Sequence, residues 1–434
     1  MTSNTTVQSE LRSQWTNPGD VMSLLMLVGG DIVQKALAQL VGVRFQLLPR
    51  SCSGPSCYLT PVAFSFGWVA YAFSSLATIF GDRRLMPTPD TAVQVINLSN
   101  GYVRENNSWV LGRLLRDHET SVAKADRSRD PSMAPSGSTG KVSLKIDIFI
   151  AGAVNDKGPS ITWTWGFCWM AIIIQQVIAA MPWIVYGDWG IFLVTASGTL
   201  FAVVTGSLPQ WTAEKWPAPK LWKEKTVALT RGNGHQYVMV IRAHAGAWDL
   251  EAMSSARLNV RGETRWVLLT LAVLWSLLLI TVSGLGKHSW YLVGVGGLGM
   301  LQNIYLSAVR VSCKAANLEL HKYWKRPAIT AYQRSPDAKA KMKRDDPKDS
   351  DTDTELGPKL AEGDVRDVMG GLMELEKWFP KAGVALLPVF FPGSVEYDAG
   401  LLNSNRERRF WKRATARLRK GRQGKLSRDQ FSRN

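Results

Sequence analysis

Asp31 and Lys35 have the spacing that most directly suggests chemistry. They stand four apart inside an otherwise apolar stretch, Val21 to Val43, so on a helix they lie one turn from each other and can pair. Ser23, Gln34 and Gln39 share their helical face, and the rest of the stretch is Leu, Met, Val, Ile and Ala. Ionisable groups at bilayer depth face a bundle interior or an aqueous path. An intramembrane polar cluster is therefore expected, completed by Gln175 and Gln176 in one later apolar stretch and by Gln302 and Asn303 in another. It would bind or pass a small polar or ionic solute. The same face also suits a helix lying on the membrane surface, and both readings of residues 20–44 stay open.

Other motifs fall short of a mechanism. Gly294-Val-Gly-Gly-Leu-Gly299 matches GxGxxG, but it lies in an uncharged stretch, and His321 stands near the place of the ribose-binding acid. Small residues that let spans pack closely explain it better. Gly137-Ser-Thr-Gly-Lys141 lacks the first glycine of a phosphate loop and the Ser or Thr after its lysine. Asp349-Ser-Asp-Thr-Asp lacks the turn glycine and closing acid of a calcium loop. The histidines His118, His235, His244, His288 and His321 show no metal-ligand spacing, and Gly-x-Ser-x-Gly is absent. No catalytic residue, metal or cofactor is assigned.

Cys52 and Cys57 bracket a Gly-Pro turn and can form a disulfide if they face an oxidising lumen, with two unpaired thiols as the alternative. Ten Lys and Arg between 406 and 425 surround Phe410 and Trp411. Arg408, Arg409, Phe410, Trp411, Lys412 and Arg413 thus form a candidate lipid-binding tail, with cations on anionic headgroups and rings in the interface. With the chain held in a bilayer, nucleic acid is not an expected partner. The oligomeric state is not legible.

The elements that must position these residues follow from composition. The 434 residues are 46% hydrophobic and include 18 Trp, yet mean hydropathy is −0.06, because apolar and charged residues are segregated. Uncharged stretches of span length alternate with basic blocks, which argues against a fully soluble or a disordered chain. Four cysteines exclude a disulfide-rich secreted scaffold.

The expected fold is a membrane all-α helical bundle of about six spans with a small cytosolic β-containing domain built from two long loops. A polar tail (1–19) precedes a charged first span or interfacial helix (20–44). Further spans are expected at 59–81, 162–186, 189–212, 266–286 and 289–309, with cytosolic loops at 82–157 and 213–264. Then come a juxtamembrane segment (310–334), a disordered linker (335–362), an amphipathic helix (363–379), and an apolar turn with the basic tail (380–434). Asn233-Gly234 between β-rich runs is a hairpin signal. Segments 82–157, 214–265 and 310–434 hold 11, 9 and 27 of the 52 Lys and Arg, which places both termini in the cytosol. The glycosylation acceptors Asn97-Leu-Ser and Asn106-Asn-Ser are then expected to remain unmodified.

Three passages, Gly30 to Leu40, Leu229 to Ile241 and Leu372 through Phe391-Pro-Gly393, together resemble a filamentous-fungal family of uncharacterised multi-pass integral membrane proteins. The resemblance implies a membrane protein and brings no catalytic motif. Three functions are carried: solute binding or passage through the polar cluster, a membrane-anchored scaffold or regulator acting through its cytosolic β-domain, and a membrane-embedded enzyme on a lipophilic metabolite.

Overall fold

The computed structural model describes residues 25–45, 57–81, 84–128, 138–155, 158–256, 258, 261–285, 287–310, 312–334, 367–392 and 409–416. In chain order these form α1 (Gly30–Leu40), β1 (Arg44–Phe45), β2 (Cys57–Tyr58), α2 (Trp68–Phe80), β3 (Gln94–Asn97), β4 (Tyr102–Glu105), α3 (Trp109–Arg127) and β5 (Ser138–Ala151). There follow α4 (Trp163–Tyr186), α5 (Gly190–Gly206), α6 (Pro209–Lys215), β6 (Lys225–Thr230), β7 (Tyr237–Ala243), α7 (Leu250–Ser255), α8 (Gly262–Ser283) and α9 (Ser289–Ala308). The last are β8 (Leu320–Lys322), β9 (Ala328–Arg334), α10 (Val368–Trp378), α11 (Ala382–Phe390) and α12 (409–416).

Two units share the chain. One, from segments 1–88, 155–217 and 256–317, holds α1, α2, α4–α6, α8 and α9. Within it α4 and α8 are long and apolar enough to cross a membrane, with 24 and 22 residues. At 1.5 Å per residue they reach about 36 and 33 Å, past the ~30 Å of hydrocarbon. Each hides only 33% of its most apolar window in the protein. Ile173, Val177 and Ile184 on α4 and Val273 and Ile280 on α8 stay exposed. Apolar all round and open on their outer faces, both helices are compatible with a membrane setting.

These lengths overturn the six-span all-α bundle. Two helices qualify as spans, or three if α5 and α6, bent by 45° at their break, count as one. The apolar run at 59–81 is not one helix. Residues 59–67 are non-helical, and α2 starts only after Gly67, whose φ of +90° no ordinary side chain adopts easily. Pro61 adds a missing donor and disfavours helix at the residue before it. The run at 20–44 is cut by Gly29, at φ +91°, and Gly42, at φ +115°. That leaves α1 with 11 residues, about 16 Å.

The other unit, from segments 89–154, 218–255 and 318–434, is α/β rather than a small two-loop β-domain. Its seven-stranded mixed sheet runs β4-β3-β6-β7-β5-β8, with β9 also pairing β5. The third source of strands, β8 and β9, falls in the segment expected to be merely juxtamembrane. Hairpin β6–β7 is antiparallel, whereas β5 pairs β7 in parallel, Asp147 opposite Met239.

The 14-residue β5 is exposed at residues 139–141 and covered on both faces over residues 144–148. Its Leu144, Ile146 and Ile148 join Val238, Val240, Leu372, Leu386 and Trp411 in one core, on the side of α10, α11 and α12. Each such aliphatic burial contributes roughly 1.5–3 kcal/mol. The intervening Lys145 and Asp147 point the other way, to α3.

Candidate functional site

Among the expected polar residues of the helical unit, Gln175 and Asn303 come together at residues 64–65, whereas Asp31 and Lys35 have no described contact with them. Asp31 is exposed and Lys35 half-buried, and among the described residues no ion pair joins them. Gln34 donates to the Leu85 carbonyl at 2.7 Å, and Gln39 to that of Val309 at 3.4 Å. Gln175 bonds the Phe64 and Val295 carbonyls, both at 2.7 Å, while Gln176 reaches Thr199 Oγ1 at 3.1 Å. Asn303 donates to Ser65 Oγ at 2.7 Å. Gln175, Gln302 and Asn303 are 0, 3 and 0% exposed, so this polar set is sealed.

Non-helical backbone inside an apolar bundle needs partners from its surroundings. Gln175 meets that need at the Phe64 carbonyl, and Asn303 braces the Ser65 hydroxyl, which itself donates to the Phe66 carbonyl at 3.0 Å. The glycine motif serves the same segment. A side chain at Gly299 would strike the Phe64 carbonyl, and one at Gly296 the Phe66 ring.

The disulfide expected of Cys52 and Cys57 lies outside the described residues, as do the Cys57 side chain and Arg408. Arg409, Lys412 and Arg413 are exposed on α12, and Phe410 is half-buried. Trp411 is fully buried in the core of the α/β unit.

Ionisable groups instead gather where α3 crosses β5 and β7. On α3, Leu111 and Leu115 are buried, and the same stripe continues as His118, Glu119 and Asp126. On β5 the period-two alternation turns Lys145 and Asp147 toward that stripe. His118 Nε2 and Asp147 Oδ2 are 3.0 Å apart, with the His118 ring edge-to-face against Phe149. Lys145 donates to Asp126 at 2.6 Å, and Arg231, just past β6, pairs with Glu119 at 2.9 Å.

Burial lifts the Glu119 carboxyl above its ordinary pKa, against the pull of Arg231, His235 and His118. Burial and the Asp126 charge likewise raise Tyr237. Four buried atoms around this face carry no hydrogen bond: Glu119 Oε1, Asp126 Oδ2, Ser143 Oγ and Arg231 Nε. Unspent acceptors beside an unspent donor, with an aspartate-held imidazole, suit recognition of a polar group and proton exchange with it. Among the described residues no three of His, Cys, Asp and Glu are placed to hold a metal ion.

A second network nearby is fully committed. Lys225 reaches Asp249 at 2.9 Å and Glu251 at 2.8 Å, while Asn97 and Arg104 also bind Glu251 at 2.7 and 3.1 Å. Burial opposes the Glu251 charge, but Lys225, Asn97 and Arg104 outweigh it and hold the carboxyl below its usual range. This network ties α7 to β3, β4 and β6.

Sequence reasoning passed over the pairing of His118 with Asp147, 29 positions apart. The alternation Ser143-Leu-Lys-Ile-Asp147 was its only local signal. His235 and His244, on either side of β7, have separate partners: His244 pairs with Glu224 at 3.6 Å, and His235 acts on Glu119. No protein-family model, no curated protein and no solved structure matches the chain.

Proposed function

We propose that this chain is a membrane-anchored regulatory or scaffold protein that acts through its α/β unit, with the His118–Asp147 and Glu119–Arg231 face as its ligand-binding element. The observation that carries the reading is the contrast between the two polar sets. In the helical unit the amides are sealed and staple irregular backbone, which suits an anchor better than a path. In the α/β unit the corresponding polar groups are charged, with His118 on Asp147 and Arg231 on Glu119, and both units keep buried polar atoms without a hydrogen bond. The basic bias of the segments supplying that unit supports a cytosolic placement, with both termini on that side and several crossings.

The test uses the full chain in its own cells. Wild type and the Asp147→Asn, Arg231→Gln double variant are each fused to a proximity-labelling enzyme and compared at equal abundance and equal membrane retention. The expected result is loss of a defined subset of labelled soluble neighbours in the variant. An unchanged set would overturn the proposal.

A further inference from the structure

Among the described residues, the two most exposed large apolar side chains of the α/β unit are Trp222, at 94%, and Trp324, at 77%. Neither owes its exposure to loose backbone. Next to Trp222, the Leu221 amide donates to the Ala247 carbonyl and the Leu221 carbonyl accepts from Gly246, both at 2.8 Å. Next to Trp324, the Tyr323 amide donates to the Ile148 carbonyl at 2.9 Å. An indole held out on fixed backbone offers its apolar body and its one N–H to something outside the unit.

The two indoles border on one residue. Arg242 donates to Glu224 at 2.6 and 2.9 Å and hydrogen-bonds Tyr323, which brings segments 222–224 and 323–325 together. Lysines accompany both rings: Lys220 and Lys223 beside Trp222, Lys322 and Lys325 beside Trp324, all four exposed. Lys325 Nζ lies over the Trp324 ring, 5.1 Å from its centroid. The acids of these segments have partners already, Glu224 on Arg242 and Glu319 at 3.8 Å from His321. Lys225, Ala243, Ala151 and Leu320 form one row across β6, β7, β5 and β8. From this row β5 leads to the candidate span α4, and β6 and β8 are entered from α6 and α9. Those connections cover only 10 to 12 positions (Lys215 to Lys225, Ala151 to Trp163, Ala308 to Leu320), and Trp222 lies within the first. Tryptophan beside lysine at such a boundary suits the headgroup layer, with the ring in the interface and the cations on anionic lipid.

We propose that Trp222, Trp324 and their four lysines form a docking surface for the anionic cytosolic leaflet. The surface rests on the anchoring and cytosolic placement proposed above but is independent of the α3 face.

In the full chain, Trp222 or Trp324 is replaced by an environment-sensitive fluorescent amino acid introduced at its codon. Each protein is assembled in nanodiscs of phosphatidylcholine, with or without phosphatidylserine, that carry a headgroup spin-labelled lipid as quencher. Both probes are expected to be quenched in the phosphatidylserine discs and far less in the others. High salt should reverse the effect, because exposed charges are screened. A probe at Asn233, in the turn at the opposite end of β6, should stay unquenched in both. Glutamine at all four lysines should abolish the dependence on phosphatidylserine, and Lys223→Gln with Lys325→Gln is the milder variant should the fourfold one misfold. Equal quenching in the two lipid mixtures, or at Asn233, would overturn the surface, as would a folded lysine variant that behaves like wild type. A chain stripped from membranes by alkaline carbonate overturns the anchoring and the surface together; a resistant chain with neither ring quenched overturns the surface alone.

Discussion

Two glutamates in the α/β unit titrate in opposite senses, and each sign follows from its partners. Glu251 accepts from Lys225, Asn97 and Arg104 and is held below its usual pKa. It contributes stability above its unfolded pKa and loses it as pH falls through the folded value. Glu119 is raised by burial despite Arg231, so folding favours its protonated form. It weakens the unit above its folded pKa, and the penalty fades as pH falls through the unfolded one. Thermal melts from pH 7 to pH 3 should therefore diverge. Glu251→Gln should lower the melting temperature at pH 7 and flatten the acid limb. Glu119→Gln should raise it at pH 7 and match wild type at pH 3. Both variants falling equally at pH 7 would show that Arg231, not burial, dominates at Glu119.

The same environment bears on Asn97 and Asn106. They are 6 and 8% exposed, and their side chains donate to Glu251 and to the Ser108 carbonyl at 2.7 and 2.8 Å. A glycosyltransferase needs that amide nitrogen free. The folded protein should show no glycosidase-sensitive mass shift, even when directed into a secretory lumen.

At the scale of elements, the glycines of α9 differ in what a side chain would meet. A methyl at Gly299 would run into the Phe64 carbonyl, which is backbone and cannot swing aside, whereas Gly297 has open space. Gly299→Ala should cost at least ~1–3 kcal/mol by overpacking. Gly297→Ala should be neutral or gain up to ~1 kcal/mol from helix propensity. Melting of the detergent-extracted full chain separates them, and equal tolerance of both would contradict the close approach of residues 64–66 to α9. A nucleotide reading of the motif predicts no such asymmetry.

For the whole molecule, the decisive placement is Trp411. A lipid-inserting tail would leave it open, whereas it is fully buried with Leu372, Leu386 and Ile146. Trp411→Ala should destabilise the α/β unit by ~3–5 kcal/mol. Arg409→Gln with Lys412→Gln, on the exposed side of α12, should change stability by less than ~1 kcal/mol. Hydrogen exchange at β5 and β9 in the full chain reads the difference. Unchanged protection in Trp411→Ala would detach α12 from the core.

Local pattern was enough for some of this architecture. The apolar runs of α4 and α8 are legible because nothing in them interrupts a helix, and crossing length is a count of residues. The β6–β7 hairpin is legible because its turn is rich in Gly and Asn, and Gly232 and Gly234 take the positive φ the turn needs. The stripe Met369, Leu372 and Leu375 on α10 is periodic for the same local reason. Tertiary structure decided the rest. Whether residues 59–67 coil into a helix depended on Gln175, Asn303 and the α9 glycines, which lie more than a hundred positions away and make an extended buried backbone affordable. Whether β5 paired with β7 depended on strands brought together across the intervening α4–α6, and whether His118 met Asp147 depended on how α3 packs on β5. Burial of Trp411 depended on a sheet face supplied by β3, β5, β6 and β7. Periodicity records which face of an element is apolar, and only packing selects the face that covers it.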